Sequence, residues 1–518
     1  MEYALLQAVF LPLLLSPLAY YIGRVKGPTY ATWFTFGILL YCTILVINAS
    51  LGGTYEEHYP WTDLFGEFGF LLDGLASPFA IMIYVLCTIL ALYSKPYMVH
   101  KFEEVYKQIH NIKEDESDGQ STALLESSGL KTYVNNQSGL YFAMFLVFSM
   151  GMLGTVLSTN LIEFYIFFEV MLIPSFFLIA WYGDGPKRRI ALMFFFWTHV
   201  GAVILLLGFL SIGLTIGSFD FADIDETGIP SDVVIIAAVA IIIGLGVKLA
   251  AFGFHIWLPW AHGAAPTPIS ALLSPAMIGI GAYGLFRLIV ELLPQAYADL
   301  SIWLNFWGIA TMFYGGAMAL MQDDIKRVFA YSSVSQMGYV LFGIGSLSAY
   351  GLAGAELMYV THALGKGLLF MTAGILIVQV GTRQLSKLGG LASKLPITAV
   401  CAVIGGLTIM GVPPTSGFMG EWMLFYGAFE TAVEEGNDWR MLAFALGLIS
   451  TVLTMSYILW MLKRVFFGKI PENLTHVKDG SWYMLAPMMV LAGFTIVLGI
   501  YPDIFLQKIM PYMNGLGL

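Results

Sequence analysis

Five ionisable side chains lie inside long hydrophobic blocks of this sequence, where a charge is costly. They are Glu169, Lys248, His362, Lys366 and Glu421. A charged side chain at the centre of a membrane-inserted helix costs about 2.5–3.5 kcal/mol. Such groups are tolerated when they face a hydrated interior and pair with one another. We therefore predict that the five form a relay for protons or other cations. The alternative for each is a structural charge bonded to a neighbouring helix.

Glu169 and Lys248 are the pair that could change proton affinity by moving. Glu169 stands in NLIEFYIFFEVMLIP, ahead of Pro174, and Lys248 stands among small residues in GLGVKLAAFGF. Burial destabilises an ammonium group, and a nearby carboxylate stabilises it. A movement of Glu169 toward or away from Lys248 would thus take up or release a proton. A permanent salt bridge between the two is the structural alternative.

Histidines and one further carboxylate are secondary candidates. His362 and Lys366 are four residues apart, so they share one face of a helix. Histidine changes charge near neutral pH, which suits a proton shuttle. Four further polar groups lie in or near the hydrophobic blocks. Each is either a relay group or a structural group, that is, a satisfied polar contact or a helix cap. They are His199, His255, His262 and Glu163.

Hydrophobic blocks of bilayer length run through the whole chain. Of its 518 residues, 58% are hydrophobic and only 11% are charged, whereas soluble domains carry about 25% charged residues. About 20 apolar residues span a bilayer, and blocks of this length are not those of a large soluble core. The sequence therefore predicts an all-α polytopic membrane protein of about fourteen transmembrane helices. They cover roughly residues 3–22, 29–50, 69–94, 138–157, 160–182, 190–216, 233–252, 267–290, 301–321, 328–348, 353–380, 397–428, 441–462 and 482–506.

Lysine and arginine gather in alternate loops between these blocks, and acidic residues gather in the others. Loops 187–189 and 463–478 are basic, for example, whereas loops 220–232 and 430–438 are acidic. Cytoplasmic loops carry the excess of Lys and Arg. We therefore predict a prokaryotic inner (plasma) membrane protein with both termini on the outer side. The polar segment 98–137 is predicted to be a solvated cytoplasmic loop with one short amphipathic helix, and a docking surface for a partner is the alternative.

Two of the predicted helices are interrupted by glycine and proline. Predicted helix 7 runs into Gly253 and Pro259, and predicted helix 12 carries Gly411 and Pro413. Interrupted helices at corresponding positions of two halves point to a transport site. We therefore predict two five-helix repeats, helices 4–8 and 9–13, with broken helices 7 and 12 facing an interior polar path. The predicted units are 1–97, 98–137, 138–292, 301–464 and 482–506.

The sequence carries no motif for a bound cofactor or metal. Cys42, Cys87 and Cys401 each lie in a hydrophobic block, without the CxxC spacing of metal or redox sites. A haem-type CxxCH, iron–sulfur cysteine spacing and a P-loop are also missing. We therefore expect no cofactor and no metal in this chain, no nucleic-acid partner, and any electron transfer in partner subunits.

Four long motifs around the two breaks carry a family resemblance. In them the chain resembles the antiporter-like, proton-translocating subunits of respiratory complex I, of Mrp-type cation/proton antiporters and of membrane-bound hydrogenase-type complexes. The resemblance covers nearly the whole chain outside the 95–137 loop, and it implies that the two repeats are inverted. The motifs are FHIWLPWAHGAAPTPIS (254–270), GAYGLFR (281–287), DIKRVFAYSSVSQMG (324–338) and GVPPTSGFMGE (411–421).

The resemblance also implies roles and partners. Glu169 and Lys248 match the family's paired glutamate and lysine, and Glu421 matches the helix 12 charge of the M-type subunit of complex I. Gly279 stands where many relatives have a lysine, so groups on predicted helix 11 are expected to bridge the path. The implied partners are homologous antiporter-like and small membrane subunits, a peripheral redox arm, lipids, and H⁺ and/or Na⁺.

These residues leave three functions to compare. The first is an ion-translocating subunit, without redox chemistry of its own, of a complex such as NADH:quinone oxidoreductase or a membrane-bound hydrogenase. The second is a subunit of an Mrp-type Na⁺/H⁺ antiporter, and the third is a stand-alone solute exporter. Buried Glu, Lys and His groups favour the first two over the third. Co-purifying subunits would separate them.

Overall fold

A computed structural model of the chain describes residues 3–110 and 128–517. It is mostly helical, and within these residues eleven helices are long and apolar enough to cross a membrane. The chain is therefore a multi-pass membrane protein.

Three helices and a two-stranded hairpin form the N-terminal part. Asp73, between the hairpin and the third helix, accepts hydrogen bonds from the backbone N–H groups of Leu75 (3.1 Å) and Ala76 (2.8 Å). These bonds satisfy donors that a helix start leaves free, so the third helix begins here. The elements are α1 (Ala4–Lys26), α2 (Pro28–Leu51), β1 (Tyr55–Thr62), β2 (Gly66–Leu72) and α3 (Ala76–Ile109).

The next group of helices contains two interruptions. Met171 separates α5 from α6, and residues 250–256 separate α8 from α9. Two π-helical turns, Leu273–Met277 and Phe286–Glu291, flank α11. The helices are α4 (Ser128–Leu157), α5 (Leu161–Val170), α6 (Leu172–Tyr182), α7 (Lys187–Ile216), α8 (Ser231–Leu249), α9 (Trp257–Ala264), α10 (Thr267–Leu272) and α11 (Ile278–Leu285).

The C-terminal part has one break of the same kind, at residues 410–416, and four helices follow it in the described chain. Its elements are α12 (Pro294–Leu320), α13 (Ile325–Ile344), α14 (Ala349–Val380), α15 (Pro396–Ile409), α16 (Gly417–Glu434), α17 (Asp438–Phe466), α18 (Trp482–Ile500) and α19 (Asp503–Gly515).

Glycines allow several helix pairs to approach backbone to backbone. A Cβ atom at Gly23 of α1 would lie 2.4 Å from the Cα of Gly139 in α4. A Cβ at Gly308 of α12 would lie 2.8 Å from the carbonyl oxygen of Gly338 in α13. Small residues at such crossings give the close packing that holds helices together in a bilayer. Within this frame α14 is buried over most of its length, so it is the central helix of the subunit.

Every predicted helix overlaps helical structure, although the number of membrane crossings and the repeat symmetry stay predictions. The structure adds a β-hairpin over residues 55–72 that the sequence reasoning did not include. Predicted helix 3 accordingly begins at Ala76 and not at residue 69. Predicted helix 12 is the pair α15 and α16, and α18 ends at Ile500.

The segment predicted as a polar loop, 98–137, is largely helical where it is described. α3 continues to Ile109 and α4 begins at Ser128, while residues 111–127 lie outside the described part. These helical extensions are polar in sequence but packed: Lys101 is 2.5 Å from Asp184, and the rings of Tyr106 and Tyr133 are 5.4 Å apart. Tertiary contacts thus extend both helices beyond their apolar parts.

Candidate functional site

Glu169 contacts a histidine in this structure. It is the penultimate residue of α5, and its Oε2 lies 2.9 Å from Nδ1 of His199 on α7. The side chains are 22% and 42% exposed, respectively, so the pair lies near the surface of the subunit. The two predicted relay groups Glu169 and His199 are therefore brought together directly.

Lys248 is buried without a direct ion pair. It lies in the last turn of α8, with Nζ 4.5 Å from the ring centroid of Phe168, the neighbour of Glu169. Its ammonium has no hydrogen-bond partner among the residues that the structure describes. Glu169 remains the carboxylate whose charge acts on it. Lys248 therefore contacts the residue before Glu169 in sequence, while Glu169 itself is bonded to His199.

Tryptophan indoles hold the chain where α8 stops. Trp197 donates to the carbonyl oxygen of Phe254 (2.8 Å), and Trp307 donates to that of Phe252 (2.8 Å). Trp257 donates to the carbonyl oxygen of Val247 at 2.9 Å. Backbone groups freed by a helix break must find partners inside a membrane, and these indoles supply them.

The first break faces both inward and outward. His255 is buried, with its ring 4.4 Å from that of Tyr314 and its Nδ1 unpartnered within the described chain. Phe252 and Ile256, by contrast, are exposed at the surface of the subunit. The second break is also exposed, at Pro413. That both breaks face an interior polar path stays a prediction: His255 of the first break is buried, whereas Phe252, Ile256 and Pro413 lie at the surface of the subunit.

His262 and His362 occupy the centre of the subunit. Both are buried, and neither ring nitrogen of either residue has a hydrogen-bond partner in the described ranges. The ring of His262 lies 5.4 Å from Phe370 of α14. Lys326 and Lys366 are the cations whose charges act on His262. Two histidines and two lysines therefore meet where α9, α13 and α14 pack together.

The two lysines of this cluster are anchored to oxygen atoms. Lys366 Nζ donates to the carbonyl oxygen of Phe329 (3.0 Å) and to Ser332 Oγ (2.5 Å). Lys326 Nζ donates to the carbonyl oxygen of Ala265, which follows α9. Sequence reasoning included Lys366 but missed Lys326, because it adjoins a basic loop and resembles a solvated charge. Its burial shows that it belongs to the interior.

A chain of hydroxyl groups leads from Lys366 toward Glu421. Ser332 donates to the hydroxyl of Tyr457 at 3.1 Å, and the hydroxyls of Tyr339 and Thr454 are 3.0 Å apart. Tyr457 and Thr454 are neighbours on α17, three residues apart. The charge of Glu421 acts on Tyr339. These four hydroxyls were not predicted, since serine, threonine and tyrosine in an apolar helix give no signal in sequence.

Glu421 ends this polar path on α16. It is 8% exposed, and its Oε1 has no hydrogen-bond partner in the described chain. Gly411, at φ +64°, makes room for the carboxylate, since a Cβ there would lie 2.1 Å from Glu421 Oε2. Glu421 also lines a cleft of about 530 Å³ that is otherwise mostly aromatic and aliphatic. The carboxylate therefore stands between the polar interior and the subunit surface.

Glu163 lies apart from the central groups, at the start of α5. One carboxylate oxygen accepts hydrogen bonds from the backbone N–H groups of Gly69 and Thr159, both at 3.3 Å, and the other is unpartnered among the described atoms. The residue thus ties α5 to the hairpin. Both readings of Glu163, as a cap or as a group guarding an exit, fit this position.

Tyr359 occupies the space beside Gly279. A Cβ at position 279 would lie 2.0 Å from Cε2 of Tyr359. That ring is stacked on Phe79 with centroids 4.1 Å apart, so it has little room to move. Where many relatives of the resembled family have a lysine, this chain therefore has a buried tyrosine from α14.

The described residues include no group of three His, Cys, Asp or Glu side chains arranged to hold a metal ion. The three cysteines are free and buried in separate parts of the subunit. We assign no metal ligands and no cofactor-binding residues, and the expectation that the chain carries no cofactor stays a prediction.

The arrangement as a whole suits proton transfer. Carboxylates, lysines and imidazoles lie in the interior, and several of them lack a fixed partner. Burial without a partner is costly, and such groups can change protonation when a neighbour moves. Hydroxyl groups lie on the Glu421 side of Lys366, and Lys248 contacts the ring of Phe168, the residue before Glu169.

Comparisons with known proteins identify the family of the chain. Residues 158–454 match the family described as NADH:quinone oxidoreductase/Mrp antiporter, TM. NADH-quinone oxidoreductase subunit M of Rickettsia bellii is 31% identical over 470 residues, covering 90% of this chain and 86% of that protein. F(420)H(2) dehydrogenase subunit M of Methanosarcina mazei is 31% identical over 377 residues, covering 70% of this chain and 74% of that protein.

The fold is also that of a solved respiratory complex. A chain of respiratory complex I from Thermus thermophilus superposes with a TM-score of 0.82 at 23% identity, covering 99% of this chain and 98% of that chain. The resemblance found in the sequence motifs is therefore confirmed. The chain belongs to the NADH:quinone oxidoreductase/Mrp antiporter transmembrane family, as an antiporter-like membrane subunit.

Proposed function

We propose that this chain translocates protons across a prokaryotic inner membrane as a subunit of a redox-driven complex. The observation that carries the proposal is the set of buried, incompletely paired ionisable groups Lys248, His262, His362 and Glu421, with the Glu169–His199 pair near the surface beside Lys248. Two of its relatives are named NADH-quinone oxidoreductase subunit M and F(420)H(2) dehydrogenase subunit M. Electron transfer is assigned to partner subunits.

The proposed cycle uses the contact between Glu169 and His199. While Glu169 Oε2 is bonded to His199, Lys248 has only an aromatic ring beside its ammonium. A carboxylate near an ammonium stabilises its charge. Movement of Glu169 toward Lys248 therefore favours proton uptake by the lysine, and its return favours release. The proton then passes through the central histidines and Lys366.

The test of this function is Glu169→Gln in the assembled complex. The amide keeps the volume and can still bond to His199 but cannot stabilise an ammonium by charge. We expect proton uptake per electron in inside-out vesicles to fall about tenfold or more, since a positioned proton carrier contributes about 10²–10⁴-fold. Glu434→Gln, an exposed carboxylate at the end of α16, is the matched control. Normal pumping by an assembled Glu169→Gln complex would refute the relay.

The proposed orientation places both termini and the acidic loops on the outer side. Cysteines at Glu56 and Glu434 should react with an impermeant thiol reagent in intact cells. A cysteine at Lys387, in a basic loop, should react only in inside-out vesicles. Lys and Arg prefer the cytoplasmic side, and the reverse pattern would invert the orientation.

Membership of an Mrp-type antiporter is the second candidate, because the matched family includes those antiporters. Purification separates the two. A redox arm that co-purifies with the chain supports the first function, whereas Na⁺/H⁺ exchange by a complex without redox subunits supports the second.

A further inference from the structure

Glu356 is a buried carboxylate that the path described above does not use. It lies on α14 with no exposed surface, and neither of its oxygens has a hydrogen-bond partner among the described residues. No other described carboxylate has both oxygens fully shielded from solvent and without a hydrogen-bond partner. An ionised carboxylate in such a site is strongly disfavoured without a partner, so its presence requires a reason other than packing.

Carboxylates that are buried for structural reasons look different in this molecule. Glu57 accepts hydrogen bonds from the backbone N–H groups of Leu5 and Leu6, both at 2.9 Å. Glu226 accepts them from Gln295 (2.7 Å) and Ala296 (2.9 Å). Each of these two caps the start of a helix and has both oxygens engaged. Glu356 has neither a helix start to cap nor a bonded oxygen.

The position of Glu356 continues the central cluster along α14. Tyr359, His362 and Lys366 follow it at helical spacing, and six residues correspond to a rise of about 9 Å from Glu356 to His362. The hydroxyl of Tyr359 and both ring nitrogens of His362 are unpartnered in the described ranges. One side of the central helix α14 therefore carries a row of groups, each of which can bind or transfer a proton.

A buried ion cluster lies at the other end of this row. Arg287 donates to both oxygens of Asp73 (2.9 and 2.8 Å) and to Glu291 (2.6 Å). It also donates to the hydroxyl of Tyr512 on α19 at 3.1 Å.

α14 packs against both α3 and α19. The ring of Phe79 on α3 lies 4.1 Å from that of Tyr359, one turn from Glu356, and 5.3 Å from that of Tyr283, whose hydroxyl accepts a hydrogen bond from Arg287. Aromatic contacts therefore connect the Glu356 part of α14 with the ion cluster.

A cavity opens from this cluster to the surface. It has a volume of about 540 Å³ and is lined by Thr54, Asp73, Ser77, Lys508 and Tyr512, among others. A water molecule takes up about 30 Å³ in the liquid, so the cavity is large enough for several. We refer to it as the outer cavity. A second cavity of about 530 Å³ lies on the other side of Arg287 and is lined by Ala222 and several carboxylates.

We propose that Glu356 is the last proton carrier of an outlet that runs along α14 and opens through the outer cavity beside Asp73. The proposal rests on the proposed function and adds to it a route to the outer surface. In the outward step the O–H bond of the Glu356 carboxylic acid breaks, and its proton forms a bond to a water molecule on the side of Asp73, the residue of the ion cluster that lines the outer cavity. The remaining carboxylate is reprotonated from the side of Tyr359 and His362.

Arg287 is a fixed positive charge beside this outlet. Its guanidinium stays protonated throughout the working pH range and is held in place by Asp73, Glu291 and two tyrosine hydroxyls. A fixed positive charge at a constriction opposes the passage of protons and cations. It does so in both directions, so the direction of transfer comes from the redox-driven change in proton affinity of the inner groups.

The first experiment compares two glutamate-to-glutamine changes in the assembled complex. Glu356→Gln should lower proton uptake per electron in inside-out vesicles by about tenfold or more, with assembly unchanged because the side-chain volume is kept. Glu434→Gln, an exposed carboxylate on the same side, should leave the ratio at the parental value. Glu356→Asp, which retains a carboxyl group, should recover part of the lost uptake.

The outcomes separate this proposal from the proposed function. If Glu356→Gln pumps at the parental ratio while Glu169→Gln does not, the outlet is refuted and the function stands. If both variants pump normally, the proposed function is refuted, and the proposed outlet is refuted with it. If Glu356→Asp is as inactive as Glu356→Gln in a fully assembled complex, a proton-carrying role for the carboxyl group is refuted.

The second experiment locates the opening. In a background whose three native cysteines are replaced by serine, Thr54→Cys places a thiol in the outer cavity and Ala222→Cys places one in the second cavity. Intact cells are treated with a charged impermeant thiol reagent, and inside-out vesicles are then prepared. Modification at residue 54 should block proton uptake, and modification at residue 222 should not. Block at 222 alone, with complete labelling at both, would overturn the assignment of the outer cavity.

Discussion

Asn160 and Asp324 occupy the same place in the two halves of the membrane domain. Asn160 precedes α5 and accepts hydrogen bonds from the backbone of Ile162 and Glu163. Asp324 precedes α13 and accepts them from Lys326 and Arg327. α5 and α13 are each the second helix of their predicted five-helix repeat. Asn160 lies on the acidic-loop side of the subunit, and Asp324 lies on the basic-loop side.

The same two residues also take part in matching backbone bridges. Asn160 forms an antiparallel bridge with Asp220, and Asp324 forms one with Gln384. In each half the partner follows the third helix of the predicted repeat. We call each capping residue with its backbone bridge a corner. The two corners lie at corresponding positions of the two halves but on opposite sides. This supports the predicted inverted repeats, because an inverted copy places each corner on the other face of the membrane.

The charged groups do not follow this correspondence. In the first half a lysine, Lys248, stands just before the break, whereas in the second half a glutamate, Glu421, stands just after it. Three indoles hold the first break, while Gly411 provides space at the second. The two halves therefore share the backbone arrangement at their corners, whereas the type and position of the ionisable groups differ between them.

The largest effect is expected from removing the lysine of the first half. Lys248→Met keeps the flexible stem and removes the charge, so proton uptake per electron should fall about tenfold or more. Lys248→Arg should fall as well, because arginine does not release its proton in the working pH range. Lys387→Met, at an exposed loop position, is the control in the same vesicle assay. A Lys248→Arg complex with parental pumping would make Lys248 a structural counter-ion.

A smaller loss is expected from the hydroxyl chain of the second half. Tyr457→Phe removes the hydroxyl that accepts a hydrogen bond from Ser332 at 3.1 Å and keeps the ring. We expect a decrease of severalfold in proton uptake at an unchanged redox rate, because the chain between Lys366 and Glu421 loses one link. Tyr501→Phe, at a ring that is 58% exposed, should have no effect. Equal proton uptake by the two variants would exclude the hydroxyl groups of Ser332 and Tyr457 as part of the proton route.

Much of the helical architecture could be predicted from the pattern of apolar, glycine and proline residues along the sequence. Apolar block length and the Gly/Pro interruptions indicated the helices and both breaks, because a bilayer restricts what can cross it. Glu356 obeys the same rule as Glu169, a charge within a predicted helix, so the signal for it was present and was overlooked. The pairing of Glu169 with His199 depends on how α5 and α7 pack, which spacing along the chain does not determine.

Other parts of the site leave no trace in sequence. Ser332 and Tyr457 look like ordinary residues of an apolar helix, and only packing brings their hydroxyls together. The helical extensions around residues 98–137 are polar, so hydropathy assigned them to a loop, whereas contacts such as Lys101 with Asp184 hold them as helices. Sequence reasoning thus identified groups that are costly to bury and missed those whose role depends on a neighbour.

The smallest effects concern the corners, where exchanging the two cap residues tests how alike the halves are. Asp324→Asn keeps an oxygen that can cap α13 and loses the ion pair with Arg383, 2.7 Å away and partly exposed. Such pairs contribute about 0–1 kcal/mol, so the thermal unfolding midpoint of the purified protein in detergent should change little.

Asn160→Asp is the opposite exchange and should be the more harmful one. The side-chain amide of Asn160 donates to Asp220 Oδ1 and to the carbonyl oxygen of Phe65, both at 2.6 Å. An aspartate would place a second carboxylate against Asp220 and leave both acceptors without this donor. Loss of such a buried donor costs about 1–3 kcal/mol, so the unfolding midpoint should fall clearly below that of Asp324→Asn. Equal midpoints would mean that the two corners are interchangeable and that the amide of Asn160 has no structural role of its own.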